Sequence, residues 1–283
     1  MKAGRLTGAL VAAVVAAGTM TSPAAAYVPA YTFAGIADWD RDRHQDVIAR
    51  DAAGDLWLYP GESRRGYSGA ARARIGNGWQ GYTFAGVADW DRDGHQDIVA
   101  RDGGGDLWLY RGQSKRRPST AARVQIGNGW QGFTFAGIAD WDRDGHQDIV
   151  ARDGGGDLWL YRGQSRRGYS TARPVKIGNG WQGYDFAGVE DWDRDRHQDI
   201  VARDSGGDLW LYRGQSKRRP STAARVQIGN GWQGYDFAGV ADWDRDRHQD
   251  IVTRDGDGDL WLYPGESKRG YSTQPRVQIG NGW

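Results

Sequence analysis

The chain has 283 residues with 44 Gly, 15 Trp and 13 Tyr, an aromatic and turn-rich composition that favours short strands over helices. Its formal charge of +1 indicates no strongly charged partner, and we expect no nucleic-acid ligand. The absence of Cys excludes disulfides, so stability has to come from the core, from bound ions or from closure of the architecture.

The first 26 residues predict a secretory signal peptide. Lys2 and Arg5 precede an uncharged stretch over residues 6–20, and alanines occupy residues 24–26. The uncharged stretch is too short and too rich in Ala and Gly to indicate a membrane span. We therefore expect cleavage after Ala26, an extracellular protein and no membrane insertion. Removing Lys2 and Arg5 from the 37 basic residues leaves 35 against 36 acidic ones, a formal charge of −1.

A repeat of 51 residues dominates the rest of the chain. The nonapeptide DWDRDRHQD and its close copies begin at Asp38, Asp89, Asp140, Asp191 and Asp242. The repeats occupy about residues 29–79, 80–130, 131–181, 182–232 and 233–283. A period of this length is typical of propellers, solenoids and arrays. We predict that residues 27–283 form a single domain built from these five units.

Each repeat contains four short strand candidates separated by turn signals. In the second repeat they are TFAGVADW, QDIVARD, GDLWLYRG and ARVQIGNGW, and no segment has a helical period. The glycines between Asp102 and Asp106 indicate a hairpin. In the third strand Leu107 and Trp108 point to opposite faces, so the sheet is expected to be covered on both sides.

These features predict an all-β fold, a five-bladed β-propeller of four-stranded blades. Closure into a ring removes exposed strand edges, and small residues such as Ala85 and Gly86 suit the wall of a central channel. The alternative is an open solenoid. A solenoid needs atypical polar capping repeats, whereas the terminal repeats here resemble the middle ones.

An aspartate loop recurs in every repeat, with carboxylates at positions one, three, five and nine of the nonapeptide. Calcium takes about six to eight oxygen ligands, and alternate aspartates with a backbone carbonyl at position seven can surround one ion. The histidine at position seven is predicted to contribute its backbone oxygen. The predicted Ca²⁺ ligands are Asp38, Asp40, Asp42, His44, Asp46, Asp89, Asp91, Asp93, His95, Asp97, Asp140, Asp142, Asp144, His146, Asp148, Asp191, Asp193, Asp195, His197, Asp199, Asp242, Asp244, Asp246, His248 and Asp250.

Other interpretations of this loop stay open. It could be a solvated acidic turn without an ion, although four neighbouring carboxylates repel one another unless a cation is present. The histidines, one per repeat, could hold zinc, although the chain has no Cys. A helix-loop-helix EF-hand is disfavoured, because Ala100 stands at position twelve where that motif has Glu, and a strand follows.

The segment FAGVADWDRDGHQDIVARDGGGDLWLYRG resembles an FG-GAP (VCBS-type) repeat, the calcium-loop blade also found in the integrin α-chain propeller. The resemblance covers all five repeats and implies an extracellular, calcium-stabilised propeller used for adhesion or ligand binding. It does not name the ligand. The integrin propeller has seven blades, so the blade number predicted here depends on the repeat count alone.

Position six of the loop differs between repeats. The sharp turn there favours Gly, which is present as Gly94 and Gly145, whereas Arg43, Arg196 and Arg247 occupy the other loops. A positive φ angle costs a non-Gly residue about 1 kcal/mol. We therefore predict weaker calcium binding in repeats one, four and five.

The IGNGW segments are candidate ligand sites on the face opposite the aspartate loops. An aromatic ring beside amide and carboxylate groups suits a sugar, which stacks on the ring and forms paired hydrogen bonds. IGNGW also resembles the inter-blade stretch of tachylectin-type five-bladed lectins. Alternatively, these Trp side chains pack between blades. The candidate ligand-binding residues are Asn77, Trp79, Asn128, Trp130, Asn179, Trp181, Asn230 and Trp232.

Basic connections, such as QSKRRPST at residues 113–120, are predicted to share a face with the aspartate loops. They could contact phosphate or anionic wall polymers, or form a solvated surface.

The favoured function is a monomeric, non-enzymatic and multivalent binding module for a glycan or another cell-surface ligand. A protein–protein interaction scaffold is the alternative. A glycoside hydrolase is less favoured. It needs two carboxylates in distinct environments, and near-identical repeats place each Asp, including Asp153 and Asp157, in the same surroundings five times.

Overall fold

The computed structural model describes residues 31–63, 65–165, 167–168, 170–215, 221–267 and 269–283. The predicted signal peptide lies outside the described residues, so its cleavage stays a prediction. The described residues form 20 strands and no helix, and accordingly no helix suited to spanning a membrane.

The strands follow the repeats. The first blade contains β1 (Tyr31–Ala37), β2 (Asp46–Asp51), β3 (Leu56–Tyr59) and β4 (Ala73–Gly76). The second contains β5 (Thr83–Ala88), β6 (Asp97–Arg101), β7 (Leu107–Tyr110) and β8 (Val124–Gly127). The third contains β9 (Thr134–Ala139), β10 (Asp148–Arg152), β11 (Leu158–Tyr161) and β12 (Val175–Gly178). The fourth contains β13 (Asp185–Glu190), β14 (Asp199–Arg203), β15 (Leu209–Tyr212) and β16 (Val226–Gly229). The fifth contains β17 (Asp236–Ala241), β18 (Asp250–Arg254), β19 (Leu260–Tyr263) and β20 (Val277–Gly280).

Each blade is an antiparallel sheet whose four strands pair in chain order. The first strands of neighbouring blades contact one another around the ring, and β1 meets β17 of the last blade. This contact closes the ring. The predicted five-bladed propeller is confirmed, and the open solenoid is excluded.

Glycine allows the blades to approach closely at the channel wall. Gly86 has a φ angle of 151°, and a Cβ atom at this position would lie 3.3 Å from the Ile138 side chain of the next blade. Gly239 is placed in the same way against Ile36, which joins the last blade to the first. The small residues predicted for the first strand therefore serve blade-to-blade contact as well as the channel.

The hydrophobic core is divided into five clusters, each shared by two neighbouring blades. Between the first two blades, Trp79 lies against Tyr110 and Phe84, with ring centroids 4.3 and 5.5 Å apart. Burying one such indole contributes about 5 kcal/mol before entropy is subtracted. Because the clusters bridge neighbours, no blade completes its own core.

Arginines at the ends of the second strands fix the connections between blades. Arg50 donates from Nη1 to the backbone oxygens of Trp79 and Tyr82, at 2.8 and 2.7 Å. Arg254 does the same across the ring closure, donating to Tyr31 at 2.9 Å and to Trp283 at 3.4 Å. This role was not predicted from the sequence.

Candidate metal centre and inter-blade pockets

The aspartate loops connect the first and second strands of each blade, and the aspartate at position nine anchors them. In the first loop Asp46 is fully buried. Its Oδ2 accepts a hydrogen bond from the Trp39 backbone N–H at 3.0 Å, and its Oδ1 accepts one from the Gly61 N–H at 2.9 Å. The equivalent aspartates Asp97, Asp148, Asp199 and Asp250 are also fully buried. The ninth carboxylate thus ties the loop to the β3–β4 connection.

Short-range hydrogen bonds fold the rest of the loop inward. The backbone N–H of Arg43 donates to Asp38 Oδ2 at 3.0 Å, and that of His44 donates to Asp42 Oδ1 at 2.9 Å. The Asp42 N–H donates to Asp40 Oδ1 at 3.2 Å. The loop therefore keeps its carboxylates converging even though they repel one another.

The carboxylates in all five loops converge closely enough to hold a cation. In the first loop Asp38, Asp40 and Asp42 each offer an oxygen, and these oxygens lie within 4.8 Å of one another. The corresponding groups in the other loops are Asp89, Asp91 and Asp97; Asp140, Asp142 and Asp148; Asp191, Asp193 and Asp199; and Asp242, Asp244 and Asp246.

One oxygen at position one tests whether these loops fit a metal ion. The Oδ1 atoms of Asp38, Asp89, Asp140, Asp191 and Asp242 are buried and have no hydrogen-bond partner among the described residues. A buried carboxylate oxygen without a donor is unfavourable, and a cation would satisfy it. The donor set therefore fits a hard divalent cation that prefers carboxylate oxygens.

Burial also changes the protonation of the ninth aspartate. It raises the pKa of Asp46 to about 7, with a further contribution from the negative charges of Asp40 and Asp42. Burial raises the pKa of Asp97, Asp148, Asp199 and Asp250 to about 7 as well. These carboxylates are thus poised to gain or lose a proton near neutral pH when no cation is present.

The loop histidines turn their rings away from the carboxylates. His44 Nδ1 lies 2.7 Å from Ser63 Oγ, and His95 and His146 form the equivalent bonds to Ser114 and Ser165. No histidine is part of a described carboxylate group. The arrangement offers no support for zinc. Use of the backbone oxygen at position seven stays a prediction.

Two positions of every loop have positive φ angles. Position six was predicted to do so, and φ is 86° at Gly94 but also 73° at Arg43. Position four was not predicted, yet Arg41 and Arg92 have φ angles of 63° and 60°. The loop thus keeps its shape with or without Gly, at a conformational cost where Arg is present.

An arginine from the next blade lies against each of four loops. Arg167 of the third blade donates from Nε to Asp91 Oδ2 of the second blade at 2.5 Å, and it lies 3.5 Å from Asp93. The equivalent pairs are Arg116 with Asp40, Arg269 with Asp193, and Arg65 with Asp244. These contacts show that the aspartate loops and the basic connections share a face of the ring, as predicted. The specific pairing was not predicted.

Pockets of similar shape lie between neighbouring blades. Four are formed by described residues, with volumes of about 260, 220, 260 and 250 Å³ at the junctions of blades 1 and 2, 2 and 3, 3 and 4, and 4 and 5. The pocket between blades 1 and 2 combines Asn77 and Trp79 with Tyr110 and the segment around Ser119. All eight candidate ligand residues, from Asn77 and Trp79 to Asn230 and Trp232, line one of these pockets.

The two kinds of candidate residue differ in exposure. The Trp79, Trp130, Trp181 and Trp232 side chains are only 6–7% exposed. These Trp side chains pack between neighbouring blades, and they also form one wall of each pocket. The two alternatives considered for them, core packing and ligand contact, are therefore compatible. Asn77 and Asn179 are exposed, which leaves their amides available.

Comparison with known families identifies the repeat. The model of the FG-GAP-like repeat matches residues 38–100, 89–151, 140–202 and 191–253, which together cover more than half of the chain. The chain belongs to the FG-GAP-like repeat family. The comparison with curated proteins found no match.

Solved structures similar to this FG-GAP-like repeat protein are distant in sequence. One is an Agrocybe aegerita lectin that recognises non-reducing terminal N-acetylglucosamine, with 14% identity and a TM-score of 0.48. The match covers 86% of this chain and 64% of the lectin chain, so this chain spans less than two thirds of the lectin. Another is BBS1N in complex with ARL6DN, with 12% identity, a TM-score of 0.37, and coverage of 86% of this chain and 80% of that one.

Proposed function

We propose that this FG-GAP-like repeat protein is a secreted, calcium-stabilised binding module that binds a saccharide in its inter-blade pockets. The observation that carries the proposal is the recurrence of one pocket, with an exposed Asn side chain beside aromatic side chains, at four described junctions of the ring. Aromatic rings and amides are what sugar hydroxyls and C–H faces bind.

Multivalency supports this function. A single pocket of about 250 Å³ holds only a small group and is expected to bind weakly. Several such pockets on one rigid ring combine weak contacts with a repetitive ligand into useful avidity. A polysaccharide or a densely glycosylated surface is a ligand of this kind.

The proposed cation is calcium, and its role is structural. The converging groups consist of carboxylate oxygens, which calcium prefers, and the histidine rings bond to serines instead. In each loop the aspartates at positions one, three and five, with the buried ninth aspartate, would hold the ion. The bound ion would offset their mutual repulsion and stiffen the face that carries the basic connections.

The test is binding of the purified protein to a panel of glycans and insoluble polysaccharides, in millimolar calcium and with a chelator. We expect calcium-dependent binding that weakens when Asn77 and Asn179 are both replaced by Ala. Arg74→Ala is the matched control, because Arg74 is exposed on β4 near Asn77 but does not line the pocket. Trp181→Ala is less informative, since removing a buried indole destabilises a fold by about 3–5 kcal/mol.

A protein–protein scaffold is the second candidate. Tyr67 and Tyr271 are 51% and 48% exposed, and exposed tyrosines often anchor protein interfaces. If no saccharide binds, while Tyr67→Ser and Tyr271→Ser abolish capture of a defined protein partner, the scaffold replaces the saccharide module.

The carboxylates considered for a glycosidase do not support catalysis. Asp153 Oδ2 accepts a hydrogen bond from Trp159 Nε1 at 2.8 Å, and this bond lowers the pKa of Asp153. A glycosidase acid needs the opposite shift, because it has to stay protonated near neutral pH. We therefore favour binding without catalysis.

A further inference from the structure

The inter-blade pockets fall into two chemical classes, although their shapes are alike. The residue after the third strand is Arg in blades 2, 3 and 4, as Arg111, Arg162 and Arg213, and Pro in blades 1 and 5, as Pro60 and Pro264. The residue two positions later differs in the same way. It is Gln in the repeats that have the arginine and Glu in the repeats that have the proline. Junctions with an Arg and a Gln at these two positions and junctions with a Pro and a Glu therefore occur within one chain.

The three arginines line pockets and have no ion-pair partner among the described residues. Arg111, Arg162 and Arg213 belong to the pockets between blades 1 and 2, 2 and 3, and 3 and 4. The Nε atom of each is buried and lacks an acceptor in the described part of the chain. Each arginine is half-buried, so its other guanidinium nitrogens stay accessible, and a carboxylate or sulfate group could form a charge-assisted bond with them.

A second cation strengthens two of these pockets. Arg123 lines the pocket between blades 1 and 2, where its guanidinium lies 4.0 Å from the Trp108 ring centroid and donates to Tyr110 Oη at 3.0 Å. Arg225 is placed equivalently between blades 3 and 4. Each also interacts electrostatically with a nearby carboxylate, Arg123 with Asp102 and Arg225 with Asp204, so part of its positive charge is offset there. Between blades 2 and 3 the equivalent residue is Pro174.

The pocket between blades 4 and 5 is different. Pro264 replaces the arginine, and Glu266 lines the pocket together with Arg276, the equivalent of Arg123, so the two charges oppose each other. Asn230 Nδ2 donates to Tyr271 Oη at 3.3 Å. Asn281 forms the matching bond to Tyr67 at 3.4 Å at the junction of blades 5 and 1. A tyrosine hydroxyl therefore accepts a hydrogen bond from the Asn amide at both of these junctions.

We propose that the three arginine pockets bind an anionic saccharide, with its carboxylate or sulfate group on Arg111, Arg162 or Arg213. This inference rests on the saccharide-binding function proposed above and adds the chemical class of the ligand. The two proline junctions take no part in binding the anionic group. The ring is thus a module with three acidic-sugar sites grouped on neighbouring junctions.

The test uses a uronic-acid trisaccharide, its carboxyl-reduced neutral counterpart, a sulfated trisaccharide and inorganic sulfate, titrated by calorimetry into the protein in calcium. The key variant carries Arg111→Pro, Arg162→Pro and Arg213→Pro, substitutions that blades 1 and 5 already contain. We expect an anionic trisaccharide to bind the wild type at least about tenfold more tightly than the neutral one, and the variant to lose this preference. Whichever of the uronate and the sulfate binds more tightly identifies the anionic group.

The control is Arg117→Ala, which removes an exposed arginine of the same connection that does not line the pocket, and it is expected to leave affinity unchanged. Unchanged circular dichroism and melting show that the triple variant is folded. Binding of anionic and neutral trisaccharides with equal affinity, or full affinity in a folded triple variant, overturns the inference but leaves the proposed function intact. Inorganic sulfate binding as tightly as the sulfated sugar overturns its saccharide part. Failure of every saccharide to bind overturns the proposed function itself.

Discussion

Arg167 of the third blade donates to Asp91 of the second blade at 2.5 Å, so a basic connection of one blade lies against the aspartate loop of its neighbour. The Asp91 side chain is only 2% exposed, whereas the Arg167 side chain is 48% exposed. The arginine therefore neutralises a nearly buried carboxylate that a cation would also contact. The negative charge of the second aspartate loop is therefore linked to the contact between blades 2 and 3.

Arg167→Ala is expected to destabilise the protein more without calcium than with it. Loss of the guanidinium leaves Asp91 uncompensated in the metal-free state, whereas bound calcium replaces the lost charge. The melting temperature is therefore expected to fall more with chelator than with calcium. Melting curves with chelator and with calcium measure the difference. Arg173→Ala, which removes an exposed arginine of the same connection, is the control, and an equal loss in both conditions would contradict the coupling.

The ninth aspartates predict a pH dependence. Their pKa of about 7 lies above the ordinary value of 3.8, so the folded, metal-free protein holds protons that the unfolded chain releases. The stability from this proton uptake is complete below about pH 4 and is lost as pH rises through about 7. With chelator, the melting temperature should therefore fall between pH 5 and pH 7.5.

Calcium should reverse this trend, because it binds the ionised carboxylates and competes with protons. Calcium affinity is expected to weaken as pH falls below 7, and binding at pH 6.5 should release protons that calorimetry in buffers of different ionisation enthalpy detects. Calcium affinity independent of pH over this range would count against the ninth aspartates as ligands.

Position six predicts different stabilities for the loops. Arg196 has a φ angle of 72°, a strained value for a residue other than Gly, so its strain affects the folded state. Arg196→Gly removes this strain and is expected to stabilise the metal-free protein by up to about 1 kcal/mol, since the greater freedom of Gly in the unfolded chain offsets part of the gain. The reverse change, Gly145→Arg, should destabilise it by a similar amount. Chemical denaturation measures both. The weaker calcium binding predicted for loops one, four and five stays open, and calorimetry showing five equal sites would contradict it.

Glu190 is a single acidic substitution on the channel wall. The equivalent residues Ala37, Ala88 and Ala139 line the same 360 Å³ cavity, and Ala241 occupies this position in the fifth blade. Burial, with the nearby charge of Asp191, raises the pKa of Glu190 to about 8. The protonated form is favoured in the fold, so Glu190 destabilises the protein as pH rises from about 4.5 to 8.

Glu190→Ala is therefore expected to raise the melting temperature by a few degrees at pH 7.5 and to change it little at pH 5. Glu190→Gln, which keeps the size without the charge, separates ionisation from packing. A stability gain in the Ala variant that is equal at both pH values would show that packing, not ionisation, is responsible.

Much of the fold could be predicted because the repeat is long and regular. The strands in TFAGVADW and GDLWLYRG appear as β5 and β7 with shorter ends, since propensity locates a strand better than its boundaries. The blade number followed from counting repeats. The aspartates of each loop could be grouped in advance, because the residues that converge are neighbours in the chain.

Contacts between repeats could not be predicted in this way. Arg167 and Asp91 are 76 residues apart, and Arg254 and Tyr31 are 223 apart. In the sequence these arginines look like ordinary surface charges, and only the curvature of the ring brings them to their partners. The sequence did give one signal, because an arginine recurs at each of these two positions in every repeat. The recurrence alone does not show which residue each arginine contacts.

The closing junction uses the same kinds of contact as the other four. Each blade takes all four strands from one repeat, so no strand crosses from the last repeat to the first. Arg254, Trp283 and Gly239 hold the fifth blade to the first much as Arg50, Trp79 and Gly35 hold the first to the second. The junction between blades 5 and 1 is therefore structurally equivalent to the other junctions. Any of the five repeats could occupy any place in the ring, so reordering the repeats would move a binding site to a chosen junction.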